Sequence, residues 1–374
     1  MEATALTSLH QALNVTDGHP RMPRTASQTE IVGRIPEFFA EVERRPFNDV
    51  EDEAHGVFLA SIGQRLAPVG SGRIVSCYSS TISMDIVARA LSVSHRQATI
   101  LHPTFDNIAD LFRARGFDLA PVSQAQLVER RLSAVEESSV LVLTTPNNPT
   151  GEVLAPQVLR DIAHHCEEND VTLVLDASFR GQDPRAQYDH YAILESTGAK
   201  WILIEDTGKL WPFHELKAGF TAWSLNVTAP IRRAFDEILL SCSPVVLRIV
   251  TELARDGSEG GYCAFRGEIN RNRSALAAEI DGSAYSLTDP ESRISVARVT
   301  LPAQSKKARE MYLELVRHGV HALPCEPFYW NSPDAGSRYL RFSLARPEKT
   351  VLDSVRTLLG LGRAGLRPRG SESP

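Results

Sequence analysis

Three runs, at 140–143 (VLVL), 171–175 (VTLVL) and 201–204 (WILI), are almost wholly apolar, and each ends against polar residues. A strand with one face in water alternates apolar and polar side chains, whereas a continuous apolar run has to be covered on both faces. The stretches 79–93 and 153–169 carry helical patterns. Apolar strands separated by helices predict a mostly parallel sheet with helices on both faces. Ligands in such sheets sit beyond the carboxyl ends of the strands. Asn148, Asp176, Asp206 and Lys209 all fall just after apolar runs, so the sheet also predicts where the chemistry lies.

The 374 residues exceed what one core usually holds, so two lobes are expected. The class is α/β: a large sheet domain over 29–240, with a mostly parallel central sheet flanked by helices, and a smaller C-terminal α/β domain over 241–362. Residues 1–28 read as an N-terminal helix and arm closing over the site, with Leu6, Leu9 and Leu13 on one side of the helix, and 363–374 as a flexible tail. Helices are expected from Thr29 to Arg44 and, unbroken, over 238–257. The net charge of −6 argues against nucleic acid as a partner. No apolar run is long enough to cross a bilayer and no secretory signal opens the chain, so a cytoplasmic location is expected. Five cysteines, scattered and without C-x-x-C spacing, predict buried free thiols and neither a disulfide framework nor a metal site.

An aldehyde cofactor bearing a phosphate needs a lysine amine, an acid at its ring nitrogen and a helix start for its phosphate. The sequence supplies each in order. Ser79, Ser80 and Thr81 in CYSSTISMD form a phosphate cup at a strand-to-helix turn; Phe105 in HPTFDN offers a ring to stack. Asn148 in TTPNNPTG reaches the cofactor's ring oxygen, and Asp176, with Ser178 nearby, its ring nitrogen. A carboxylate ending LVLD is costly to bury without a cation, which a pyridinium supplies. Lys209 follows an apolar strand in IEDTGK, with Thr207 beside it and Lys217 as a second cation for the phosphate.

The order PNNPTG, DASFRG, DTGK and then a basic residue before A-G resembles the class I/II aminotransferase family. The resemblance implies fold type I, pyridoxal 5′-phosphate (PLP) as cofactor, Lys209 as its Schiff-base lysine and a homodimer with active sites near the subunit interface. Departures are as informative as matches. Where ordinary members have a tyrosine that bonds the ring oxygen, this chain has Phe179. The usual serine before the lysine is Gly208, and the usual arginine further on is Lys217. Routine transamination is therefore in doubt.

SCYSSTISM, HPTFDNIADLFR, TTPNNPTG, DASFRG, YDHYAIL, IEDTGKLWP and LKAGF are together similar to a smaller group on this fold, the PLP-dependent L-arginine oxidases/hydroxylases of natural-product pathways. The resemblance implies oxidation of free L-arginine by dioxygen, without metal or flavin. The products are 2-oxo-5-guanidinovalerate and its 4-hydroxy derivative, with ammonia and hydrogen peroxide released. LNVTDGHP matches a segment whose histidine that group needs for hydroxylation, which makes His19 catalytic and Asp17 its orienting neighbour. Asp206 would take the substrate guanidinium, since planar charge-assisted pairing suits it; a helix cap or an ion pair with a local lysine is the alternative. Glu2 is a second candidate for the guanidinium, though an exposed terminal glutamate is the plainer reading. Arg341 in RYLRFSLAR matches the residue that grips the α-carboxylate, with Arg338 and Arg346 close enough to compete. An arginine aminotransferase is the alternative function.

Overall fold

A computed structural model of the protein describes residues 13–213 and 216–365. Its strands are β1 (Leu13–Asn14), β2 (Ile74–Cys77), β3 (Gln97–Leu101), β4 (Asp118–Val122), β5 (Val140–Thr144), β6 (Thr172–Asp176), β7 (Lys200–Asp206), β8 (Gly219–Trp223), β9 (Ser286–Leu287), β10 (Val296–Thr300), β11 (Val320–His321), β12 (Leu323–Pro324) and β13 (Tyr339–Ser343). Seven of them form one sheet in the order β2-β8-β7-β6-β5-β3-β4. β8 runs antiparallel to both neighbours, and the remaining pairs are parallel.

The continuous apolar runs divide between two cores. Leu141, Leu143, Leu173, Leu175, Trp201 and Leu203 face one side, packed with the helices Phe47–Ser61, Pro156–Glu168 and Pro244–Asp256. Val140, Val142, Val174, Ile202 and Ile204 face the other, with the helices Ser80–Leu91, Ile108–Ala114 and Ile231–Leu239. Alternate residues of a strand point to opposite faces, so an unbroken apolar run is what a sheet covered on both sides demands. Two strands carry weaker signals. β4, DLAPV, contains Pro121 and lies at the sheet edge, where a missing N–H costs no ladder bond. β8, GFTAW, pairs with β7, with Gly219 opposite Asp206.

The smaller sheet is antiparallel in the order β12-β13-β10-β9. The helices Tyr262–Ile280, Ala308–Arg317 and Glu348–Gly365 cover it around a separate core that includes Ile269, Leu276, Leu315 and Val355. The single helix expected over 238–257 is broken: Leu240 takes a positive φ of 59° and a second helix starts at Pro244. Leu247, Val250 and Leu253 of that second helix belong to the large-sheet core, so the large lobe's core continues beyond residue 240. The helix expected over 29–44 also divides, into Ala26–Gly33 and Ile35–Val42, the second with Pro36 in its first turn, where proline is tolerated.

Residues 13–19 lie across the small lobe. β1 pairs with β11 in parallel, and Ser343 N donates to Val15 O at 2.8 Å. Four cysteines are buried; Cys263, against expectation, is exposed. No helix among the described residues is long and apolar enough to cross a membrane.

Candidate active site

A cleft opens at the carboxyl ends of β5, β6 and β7. Its walls hold Ser79, Ser80, Thr81, Phe105, Asn148 and Asp176, and also Ser178, Asp206, Lys209, Lys217, His19 and Arg341. Residues scattered from 19 to 341 in sequence thus converge on one space.

Asp176 ends β6 and is buried, with Ser178 N and Oγ both donating to its Oδ1 at 2.9 and 2.5 Å. Burial pushes its carboxyl pKa up and the nearby Asp206 adds to the rise; the Ser178 bonds and Lys209 oppose it. A buried acid of this kind is eased by a cation, the service a protonated pyridine nitrogen performs. Asp206 is also buried, and burial raises its pKa, but the charges of Lys209 and Lys217, with the Ser80 backbone hydrogen bond, bring it below the usual value and keep it ionised. Its Oδ1 accepts Gly208 N at 2.6 Å, and its Oδ2 accepts Ser80 N and Oγ at 3.1 and 2.9 Å. The capping geometry is therefore real. Ser80, expected in the phosphate cup, lines the cavity and also bonds Asp206. Ser79, Thr81 and Lys217 remain around the start of the helix Ser80–Leu91, whose dipole favours an anion.

Lys209 Nζ stands 3.1 Å from His19 Nε2, and Lys217 Nζ 3.3 Å from the same nitrogen. Burial, then the charge of Lys209, lowers the His19 pKa to about 3, so the ring is neutral near neutral pH. A neutral imidazole offers one ring lone pair. With two ammonium groups facing Nε2, that nitrogen is the acceptor, and the proton belongs on Nδ1, 3.4 Å from Asp17 Oδ1. Asp17 does not line the cavity; it braces the segment beneath His19. Its Oδ1 accepts His19 N at 2.9 Å, and its Oδ2 pairs with Arg21 and Arg346 at 3.1 Å each. Burial opposes its charge, but these partners hold its pKa well below the ordinary carboxylate value.

Arg346 is the residue that sequence reasoning missed as a support. Its guanidinium, 3% exposed, donates to the carbonyls of Asn14, Asp17 and His19 at 2.8, 3.2 and 2.7 Å. Three carbonyls on one fork fix the path of the strand end that carries His19. The signal was not local: Arg346 lies 327 residues from His19. Arg341, the expected carboxylate-binding residue, is buried with Nη1 3.0 Å from Asn148 Oδ1 and Nη2 2.6 Å from Thr16 O. Arg338 instead bonds the carbonyls of Leu301 and Pro302 and is absent from the cavity wall.

Thr207, expected beside the cofactor, turns away: its Oγ1 accepts Ala218 N at 2.8 Å and ties the Lys209 loop to the chain after Lys217. Gly208 is explained by the same tie. A Cβ there would come within 2.7 Å of Lys217 Cδ and 2.9 Å of Asp206 Oδ1, so a serine at this position would have to displace the lysine. Phe179 lines the cavity, as its place opposite the family's tyrosine implied, and Thr144 and Gly18 line it without having been foreseen as site residues. Glu2 lies outside the described residues.

The residues present fit PLP. Lys209 and Asp176 share one cavity with Asn148, a phosphate-ready helix start and an arginine. Three cations, Lys209, Lys217 and Arg341, face two carboxylates, a balance suited to a phosphate and a substrate carboxylate.

Comparisons with known proteins agree with this geometry. Residues 63–358 match the family model for aminotransferase class I and II. Among curated relatives, a threonine-phosphate decarboxylase of Sinorhizobium sp. is 27% identical over 52% of this chain and 54% of its own length. Histidinol-phosphate aminotransferase 2 of Caulobacter vibrioides is 28% identical over 45% of each chain. The chain thus spans about half the length of these two relatives. Among solved structures, MppP soaked with the product 2-ketoarginine superposes with a TM-score of 0.89 at 41% identity, covering 93% of this chain and 99% of that one. Thermus thermophilus aspartate aminotransferase shares the fold at 16% identity, with a TM-score of 0.78 over 97% of this chain and 94% of its own. The chain belongs to the class I and II aminotransferase family.

Proposed function

We propose that this enzyme uses PLP and dioxygen to oxidise and hydroxylate free L-arginine. Its products are 4-hydroxy-2-oxo-5-guanidinovalerate and 2-oxo-5-guanidinovalerate, with ammonia and hydrogen peroxide released. The observation that carries the reading is His19 held 3.1 Å from Lys209 inside the cavity. The 41% identity to MppP, described with 2-ketoarginine as its product, supports the choice of substrate.

Bound through Lys209, PLP would supply an electron sink for the substrate's α-carbon. The chain's own residues do the rest. Arg341 takes the α-carboxylate, its planar fork suited to two parallel bonds. Asp206 is ionised in the same cavity; its Oδ1, which accepts only Gly208 N, keeps a further lone pair for the guanidinium. Lys209, once released from the cofactor, removes the α-proton. His19, neutral and with Nε2 turned to Lys209, can accept a proton or hold a water at the same place. Asp17 and Arg346 keep it there.

A homodimer belongs to this reading. Tyr78, next to Ser79, is 40% exposed and Leu66 61% exposed, surfaces that a second copy would cover. Arginine transamination is the competing reading, favoured by the family match. To test the proposal, L-arginine is added to PLP-loaded protein while cofactor absorbance is followed, and products are identified by mass. A bleached or shifted band followed by a hydroxylated 2-oxo acid supports it. A stable keto-acid-dependent amine exchange refutes it.

A further inference from the structure

Each backbone carbonyl from Asn14 to His19 is held by a residue of the small lobe. Arg346 takes those of Asn14, Asp17 and His19, Arg341 takes that of Thr16, and Ser343 N that of Val15. Ser295 Oγ takes the last, donating to Gly18 O at 2.8 Å. Ser295 is itself fixed to the same lobe, its carbonyl accepting Leu344 N at 2.8 Å. The segment that carries His19 therefore rides on the small lobe, while Lys209 belongs to the large one. The reach from His19 to Lys209 depends on how the two lobes are held together.

A buried amide spans that divide. Gln182, in the turn that follows β6, donates from Nε2 to the carbonyl of Lys209 at 2.6 Å and to Ser295 Oγ at 3.1 Å. Its Oε1 accepts Ser295 N at 2.6 Å. The partners fix the sense of each bond. A primary amide has N–H donors on one side and a carbonyl acceptor on the other. Reversed, its oxygen would face the Lys209 carbonyl and its N–H would face Ser295 N–H. Because Ser295 Oγ must accept from Nε2, its own proton goes to Gly18 O. Neither Gln182 nor Ser295 lines the cleft, so the pair does not compete with a substrate. Arg341 to Asn148, another contact between the lobes, lies on the cavity wall.

We propose that Gln182 and Ser295 are positioning residues: together they lock the small lobe, and the segment that rides on it, to the backbone of Lys209, and so set the 3.1 Å approach of His19 to the lysine amine. This deepens the function proposed above and rests on it only for the product ratio. Ser295→Ala removes the bond to Gly18 O and the acceptor for Gln182 Nε2, and leaves Ser295 N on Gln182 Oε1. Gln182→Glu keeps an acceptor for that N–H but turns a second oxygen toward the Lys209 carbonyl, where two acceptors repel. The Ser295 hydroxyl then has a carboxylate to donate to, which draws it off Gly18.

The test is Ser295→Ala and Gln182→Glu, each made also in a His19→Ala background. The ratio of hydroxylated to simply deaminated product is expected to fall about 3–10-fold in Ser295→Ala, the factor that one neutral hydrogen bond commands, and further in Gln182→Glu. Without His19 neither variant should change it, because a residue that acts through another then has nothing to move. The second readout needs no substrate: the pH midpoint at which the absorbance band of lysine-linked PLP changes. A lone pair on His19 Nε2 favours the protonated form of the linked nitrogen. His19→Ala should therefore lower the midpoint and Ser295→Ala should lower it part of the way, with Asp176, Asp206 and Lys217 left in place around Lys209. An unchanged ratio or an unchanged midpoint in both variants would overturn the proposal, and so would effects that persist at full size without His19. Where the wild type itself makes no hydroxylated product, the function fails and the midpoint alone decides this inference. Where Ser295→Ala does not fold, Gln182→Glu decides by the same outcomes.

Discussion

His19 and Lys209, 190 residues apart in sequence, meet at 3.1 Å between a ring nitrogen and an ammonium. That contact sets a neutral acceptor beside the amine that the family uses for its chemistry. An ordinary surface histidine would be partly charged near neutral pH; this one, buried and beside a lysine, is not.

Replacing His19 by alanine or glutamine should separate two outcomes. Removal of the amine is expected to continue, because Lys209, Asp176 and Arg341 are untouched. The hydroxylated product should fall by about 10²–10⁴-fold, the usual contribution of a placed acid–base group. Quantifying both oxo acids by mass in one reaction checks this; an unchanged ratio would remove His19 from the mechanism.

Lys209→Ala should abolish the absorbance band of lysine-linked PLP and lower turnover by at least about 10²-fold. The comparison variant is Lys217→Ala. It leaves the linkage intact and, on the geometry here, weakens retention of the phosphate, so dialysis should strip PLP faster from Lys217→Ala than from wild type.

Arg346→Ala leaves Asp17 buried, with only Arg21 as a charged partner. Breaking a buried ion pair costs about 3–5 kcal/mol, and chemical denaturation should show a loss toward the lower end. Arg346→Lys keeps the charge but cannot fork to three carbonyls. Its stability should be nearer wild type, and its hydroxylated fraction lower. Equal product ratios in wild type and Arg346→Lys would mean the fork does not position His19.

The architecture was largely written in local patterns. Unbroken apolar runs specified β5, β6 and β7, and polar residues at their ends specified the rim of the cavity. What stayed hidden depended on partners distant in sequence. β8 was not foreseen because GFTAW, four of its five residues buried, opens on a glycine and is interrupted by Thr221, leaving no sustained apolar run. The break at Leu240 was not foreseen because a leucine with positive φ has no sequence mark. Arg346 has meaning only once residues 14–19 are folded against it, and the bonds from Ser80 to Asp206 join residues 126 apart in sequence. The oddities Phe179 and Gly208 were visible as departures; the closeness of Gly208 to the Lys217 side chain was not.

Acid should weaken the fold well before carboxylates titrate. Burial lowers the pKa of His55 to about 3, from an ordinary value of 6.5, and His19 is shifted to the same level. Between those values the unfolded chain binds protons that the folded chain excludes, so stability falls as pH falls. It is fully present above about pH 6.5 and is lost progressively toward pH 3. Thermal midpoints measured from neutral to mildly acidic pH should drop. His55→Gln, which removes one such group, should flatten the slope. A midpoint unchanged over that range would show that these rings are not held neutral.

The most direct measurement is oxygen uptake by PLP-loaded protein given L-arginine and no 2-oxo acid. Uptake with hydrogen peroxide, ammonia and a 4-hydroxylated oxo acid is the expected result. No uptake, with arginine consumed only after a 2-oxo acid is added, would contradict the account and make the protein a transaminase.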